Sequence, residues 1–300
     1  MLSVDFDLQN SIWFFDIDDT LIDTEGASLQ GTKGVGALFA ARFDDETGKM
    51  VEDAVNQTFG LMVAGYRVKH DDDWQKVPGG KPAFDKLIER VTGVQDQVLR
   101  DFGHIKKWSR EVFAKLACDD LRLEVTPELI AEAGDAYWIT LTRHTTVFES
   151  AIKLFAFLHE HKRPIYLITS SDARLQMKDN GQFYYDPSYS EALKRERIEL
   201  LREMGLDYRL VSIGDPEDKP HIDFFEKGLK KASGDLGYEV DPSTCVIVGD
   251  SYGGDIQTPL EKMGFRLGIR FHKAVEETRM ENERLISTGD FGEVVEMMAA

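Results

Sequence analysis

Five short apolar runs punctuate this sequence: Ile12 to Phe15, Ile165 to Ile168, Leu210 to Ile213, Val246 to Val248, and Phe265 to Ile269. Each is too short for a helix and lacks the apolar/polar alternation of a strand with one wet face, so each reads as a strand buried on both sides. The last four follow stretches of helical periodicity. Val147 to His161 places Phe148, Ile152, Phe155 and Leu158 on one stripe, Ser190 to Met204 runs from a capping Ser towards Gly205, and Ile222, Phe225, Leu229 and Ala232 form a third stripe. Strands that alternate with helices need right-handed crossovers. The expected core is therefore an α/β doubly wound parallel sheet.

The first run stands apart, because roughly 120 residues separate it from the helix that leads into the second, far more than a crossover needs. Apolar residues in that interval recur at helical spacing: Val51, Ala54, Val55, Thr58 and Leu61; Phe84, Leu87, Ile88 and Val91; Val98, Phe102 and Ile105; Leu129, Ile130, Ala133 and Tyr137. Pro82 and Pro127 sit at first-turn positions, the latter behind Thr126 as N-cap. Residues 24–146 are thus expected to form an inserted helical module, and residues 1–23 and 147–300 the α/β core. A chain of 300 residues is long enough for both.

Fifty-four acidic against 36 basic residues give a net charge of -18, which argues against gripping nucleic-acid phosphates. A small phosphorylated ligand remains compatible if a few cations converge locally and a metal supplies the rest. Cys118 and Cys245 are the two cysteines and have no ligand spacing, so a reducing compartment is expected rather than a disulfide framework. Neither a signal peptide nor a membrane span is legible, and the expected location is the cytoplasm.

Residues able to do chemistry fall at the ends of the expected strands. The first ends in Asp16-Ile17-Asp18-Asp19-Thr20, and ligands of parallel sheets sit at the carboxyl ends of the strands. Two carboxylates so close repel and call for a cation, for which Mg²⁺ with its preference for hard oxygens is suited. Beyond the second strand, Thr169 and Ser170 offer hydroxyls to a phosphoryl oxygen. Lys219 follows the third strand, just before a helix whose first residues are expected to include Pro220, and can neutralise a carboxylate and a phosphate together. Asp250, after Val248-Gly249, supplies a further acidic group for a metal, with Asp255 one turn on to orient water or a ligand from behind. Each has an ordinary reading alone: an acidic turn, a strand exit, a solvated lysine, a capping Asp. Together, in chain order, they supply nucleophile, hydroxyl, cation and metal carboxylate.

In this arrangement the chain resembles the haloacid dehalogenase superfamily of phosphohydrolases. Asp16 to Thr20 match that family's first motif, Thr169 its second, Lys219 its third, and Gly249-Asp250-Ser251 with Asp255 its fourth. The resemblance covers residues 11 to 21 and about 147 to 270. It implies a Rossmann-like core, an aspartyl-phosphate formed on Asp16, and Asp18 as general acid and base. It also implies Mg²⁺ held by the Asp16 side chain, the main-chain carbonyl of Asp18 and the Asp250 carboxylate, with Thr169 and Lys219 on the phosphoryl group. The insert looks like that family's helical cap, which closes over the site and selects the leaving group. Two departures are the length of this insert and an unusual extension from Arg174 to Tyr189.

The expected activity is a Mg²⁺-dependent phosphatase for a small phosphorylated metabolite. A phosphomutase of the β-phosphoglucomutase kind would use the same residues, and a binding protein that kept the fold is the reading from another class. In the insert, Arg67, Lys69, His70 and the Lys76 to Lys81 segment read as solvated surface, as does His70 to Asp73. Phe183, Tyr184, Tyr185 and Tyr189 pack a long loop or line a pocket equally well.

Overall fold

The computed structural model describes residues 7–69 and 73–299. His70, Asp71 and Asp72 lie outside the described residues. Strand β1 (Ile12–Phe15) is followed by α1 (Thr24–Arg42), α2 (Asp45–Val68), α3 (Gly80–Gly93), α4 (Asp96–Phe102), α5 (Arg110–Asp120), α6 (Pro127–His144) and α7 (Glu149–Glu160). Next come β2 (Ile165–Ser170), the short strands β3 (Leu175–Met177) and β4 (Phe183–Tyr185), α8 (Pro187–Glu203), β5 (Leu210–Gly214), α9 (Ile222–Leu236) and β6 (Cys245–Gly249). The chain ends with β7 (Leu267–Phe271), β8 (Arg279–Asn282), β9 (Leu285–Thr288) and α10 (Phe291–Ala299).

Two compact units result. The first gathers residues up to Glu25, Thr145–Ser171, and Glu191 onward. Its sheet runs β5-β2-β1-β6-β7-β9-β8, parallel throughout except for the edge strand β8. The five expected strands are all present, and β1 shows why they lack alternation. Trp13 and Phe15 enter one apolar cluster with Leu154, Phe155 and Leu158 of α7, while Ile12 and Phe14 enter another with Phe224, Phe225 and Ala232 of α9. Helices therefore cover both faces, and β5, β2, β1 and β6 all present their carboxyl ends along one edge.

Local expectations shift in three places. Ile152 is exposed, and Ala151 and Leu154 occupy the buried stripe of α7 with Phe155 and Leu158. Ser190 is not a cap but a buried residue within α8, where its Oγ accepts from the Arg174 amide at 3.3 Å. Pro220 precedes α9, which begins at Ile222 behind His221.

The second unit comprises Gly26–His144 and Asp172–Ser190. Thr126 caps α6 as expected, its Oγ1 accepting from the Leu129 amide at 3.3 Å. The sequence-based boundaries differ from this division in one substantial respect: Asp172–Ser190, assigned by sequence to the core, belongs to the second unit. The cause is a β3–β4 hairpin, paired Leu175 to Tyr185 and Met177 to Phe183, whose inward residues join the apolar cluster of Val51, Val91, Phe113 and Tyr137. This unit is therefore not all-helical. A buried ion pair completes the attachment, since Arg174 is 3% and Glu111 1% exposed. Arg174 Nε donates to Glu111 Oε1, and its Nη2 donates to Asp135 Oδ1 at 2.5 Å.

Truncating Arg174 to Met would leave the Glu111 carboxylate buried without its cation, which costs about 3–5 kcal/mol. Urea unfolding followed by tryptophan fluorescence reads this directly, because Trp74, Trp108 and Trp138 lie in this unit. An unchanged midpoint would show that the pair does not anchor the hairpin. Among the described residues, no helix is long and apolar enough to cross a membrane.

Candidate active site

The turn after β1 is built to hold Asp16 still. The Asp16 amide donates to the Val248 carbonyl of β6 at 2.8 Å, which continues the parallel ladder one residue past the strand. Amides of Thr20, Leu21 and Ile22 then close on the Ile17 carbonyl at 3.2, 2.9 and 3.3 Å, and Asp19 takes a left-handed conformation at φ 62°. Asp tolerates that region better than most side chains. The Asp19 Oδ1 accepts the Glu25 amide at 2.7 Å, which ties the turn to the start of α1.

Asp16 is buried, 6% exposed. Its Oδ1 accepts from Lys219 Nζ, and its Oδ2 accepts from Thr20 Oγ1 at 3.2 Å. Lys219 also donates to Asp255 Oδ1 at 2.7 Å, and the other Asp255 oxygen accepts the Ser251 amide at 2.9 Å. Gly249 makes this possible, because a Cβ there would collide with the Asp255 side chain. Asp16, Asp250 and Asp255 each offer a carboxylate oxygen within 4.8 Å of the others.

Three carboxylates around one lysine leave a surplus of negative charge. Burial, opposed by Lys219 and reinforced by Asp255 and Asp18, pushes Asp16 up to about 7. Burial together with Asp16 and Asp255 pushes Asp250 up to about 8. Burial alone would lower Lys219, but the charges of Asp16 and Asp255 hold it above its ordinary range. Hard oxygen donors that repel one another in a buried pocket fit a small divalent cation such as Mg²⁺. Both oxygens of Asp16 and both of Asp255 accept from protein donors; Asp255 braces Lys219, and Asp16 and Asp250, just past the ends of the neighbouring strands β1 and β6, could hold the ion between them.

The remaining expected residues divide. Thr169 is buried at the end of β2, 1% exposed, on the same edge as Asp16. The Thr169 Oγ1 donates to the Ser170 carbonyl at 3.3 Å, and the Ser170 hydroxyl is engaged as well. Ser170 Oγ donates to Asp218 Oδ1 at 2.8 Å, and that oxygen also accepts the Lys219 amide at 2.7 Å, so Ser170 shapes the loop that carries Lys219. The Asp18 side chain takes no part in the acidic cluster. Its Oδ2 accepts from Lys194 Nζ at 2.6 Å, its Oδ1 from Thr24 Oγ1 at 2.9 Å, and Arg197 Nη2 reaches the two oxygens at 3.1 and 3.3 Å. Burial would raise this carboxyl, but Arg197 and Lys194 hold it far below the usual carboxylate range. The metal contact implied for Asp18 is through its main chain and is untouched by this.

Lys194 and Arg197 escaped sequence reasoning, since charged residues on a helix read as solvated. One signal was legible: Lys194 falls on the stripe of Ser190, Ile198 and Leu201, at spacings of four, four and three. In the second unit, Lys76 and Lys81 sit in exposed pairs with Asp73 at 2.7 Å and Asp85 at 2.5 Å.

Residues 12–259 match the family of haloacid dehalogenase-like hydrolases. No curated protein matches the sequence. Among solved structures, YfnB from Bacillus subtilis, described as a HAD-hydrolase and bound to magnesium, has a TM-score of 0.55 at 15% identity, covering 97% of this chain and 99% of that one. A 2-haloacid dehalogenase from Pseudomonas syringae pv. tomato DC3000 has a TM-score of 0.53 at 15% identity, covering 96% and 98%. A HAD phosphatase from Thermococcus onnurineus has a TM-score of 0.50 at 15% identity, covering 96% and 97%. At these identities the likeness speaks to the fold alone.

Proposed function

The chain belongs to the haloacid dehalogenase-like hydrolases, and from that premise we propose that it is a Mg²⁺-dependent phosphatase of a small phosphorylated metabolite, with Asp16 as covalent nucleophile. The observation that carries this reading is Lys219 bonded at once to Asp16 and Asp255 beside Asp250. A nucleophilic carboxylate attacking a phosphate anion faces charge repulsion first of all, and this pocket has a fixed cation and a place for another.

An Asp16 oxygen attacks phosphorus in line, and the bond from phosphorus to the leaving oxygen breaks. Lys219 holds the attacking carboxylate, and Thr169 donates its hydroxyl to the phosphoryl group. Mg²⁺ bound by Asp16 and Asp250 would supply further charge neutralisation there. Water then cleaves the acyl phosphate, giving its proton to Asp18 and returning Asp16. As Lys194 and Arg197 hold it, Asp18 is the carboxylate that this second step uses. Protonating a leaving oxygen in the first step requires those contacts to loosen. A dehalogenase has no need of a carboxylate at this position, which favours phosphate esters as substrates.

The net charge of -18 supports a small substrate over a nucleic acid, and the reading places the protein in the cytoplasm. Phosphorylated sugars, phosphoglycolate, nucleotides and phosphoamino acids, assayed for phosphate release with and without Mg²⁺, test the proposal. Metal-dependent release from at least one class is expected. Isomerisation of hexose phosphates faster than release would replace the phosphatase with a mutase, and no turnover of any class would favour a binding protein.

A further inference from the structure

Asp18 is held by three donors from two directions, and two of them come from one face of α8. Lys194 is 1% exposed. Its stem runs along the buried stripe of the helix, and its ammonium ends 2.6 Å from Asp18 Oδ2. Arg197, one turn on, spans both oxygens at 3.1 and 3.3 Å, and Thr24 Oγ1 meets Oδ1 at 2.9 Å. Asp18 itself rises from the turn pinned by Asp19, whose amide donates to the Ile22 carbonyl at 2.8 Å.

Burying a lysine is costly unless an anion meets it, and apolar residues of similar volume fasten a helix to a core just as well. A cation pair kept in such a place is better explained by what it holds. Donors converging on both oxygens of one carboxylate fix its orientation, and a proton-transfer group needs its orientation fixed. We propose that Lys194 and Arg197 are positioning residues that set the Asp18 carboxylate to accept the proton of the attacking water. The proposal rests on the reading of Asp18 as general base.

The test is a double-mutant cycle on 2,4-dinitrophenyl phosphate, whose leaving group departs without a proton, so that Asp18 acts only as the base. Lys194→Met and Arg197→Met should each lower kcat about tenfold and KM in proportion, with kcat/KM within about twofold, because a misplaced base slows hydrolysis of the phosphoryl-enzyme and leaves binding and the first transfer alone. In an Asp18→Asn background the same substitutions should cost less than about twofold, since they act through the missing carboxylate. Arg197→Lys, which keeps the charge, should recover part of the loss. Circular dichroism and thermal midpoints identify a variant that fails to fold, and the Arg197 cycle decides alone if Lys194→Met does so. Equal losses in both backgrounds, no loss, or a gain in kcat would overturn the proposal. Unchanged turnover by Asp18→Asn itself would instead overturn the reading of Asp18 beneath it.

Discussion

Asp16→Asn is expected to abolish phosphate release, by on the order of 10⁴-fold or more, while leaving the fold intact. The amide keeps the size of the carboxylate, and its oxygen can still accept from Lys219 Nζ or from Thr20 Oγ1, now at 3.2 Å from Oδ2. The ladder bond from the residue 16 amide to Val248 is a main-chain contact and survives the exchange. What disappears is the nucleophile, because a neutral amide does not displace an alkoxide from phosphorus. Removing one of three crowded carboxylates also relieves repulsion with Asp250 and Asp255, so the metal-free variant should melt no lower than the parent near neutral pH. Acid-quenched mass spectrometry should find a phosphoryl adduct on the parent during turnover and none on the variant. Release by the variant at the parent's rate would end the covalent scheme.

The parts of this site legible in sequence are those whose position follows from topology. Asp16, Thr169 and Asp250 stand at or just past the ends of β1, β2 and β6, and once those runs are read as parallel strands their edge is shared. Lys219 needs one loop more, and its reach to Asp16 depends on Ser170 and Asp218, whose hydrogen bond no spacing announces. Lys194 and Arg197 were hidden because a helix face becomes buried only through what packs on it. The hairpin at 175–185 was hidden for a related reason: strands of three residues carry too little periodicity to read, and the apolar residues they pack on, Val51, Val91, Phe113 and Tyr137, lie far earlier in the sequence. Strand β8, Arg-Met-Glu-Asn, has the charged composition of a protected edge and none of the apolar signature that reveals its neighbours.

Stripping divalent metal should stop turnover and also change how stability depends on pH. From an ordinary 3.8, Asp16 is raised to about 7 and Asp250 to about 8 in the metal-free fold. Between about pH 4 and pH 8 the folded chain therefore holds protons that the unfolded chain has released, and linkage makes stability fall as pH rises through that window. Asp18 behaves oppositely, being held below its ordinary value. Its contribution is complete above the unfolded value and is lost only on acidification below about pH 4, so it does not mask the trend. Metal-free protein should thus melt lower at about pH 8 than at about pH 5, by about 5 °C or more. Mg²⁺ should restore the midpoint at the higher pH and do little at the lower, where protons already occupy the carboxylates it would bind. Asp250→Asn should flatten the metal-free trend and cost most of the Mg²⁺-induced shift. Melting curves with and without chelator at the two pH values decide the matter, and a metal-free midpoint that climbs with pH, or an equal Mg²⁺ shift at both, would show that these carboxylates do not hold the ion.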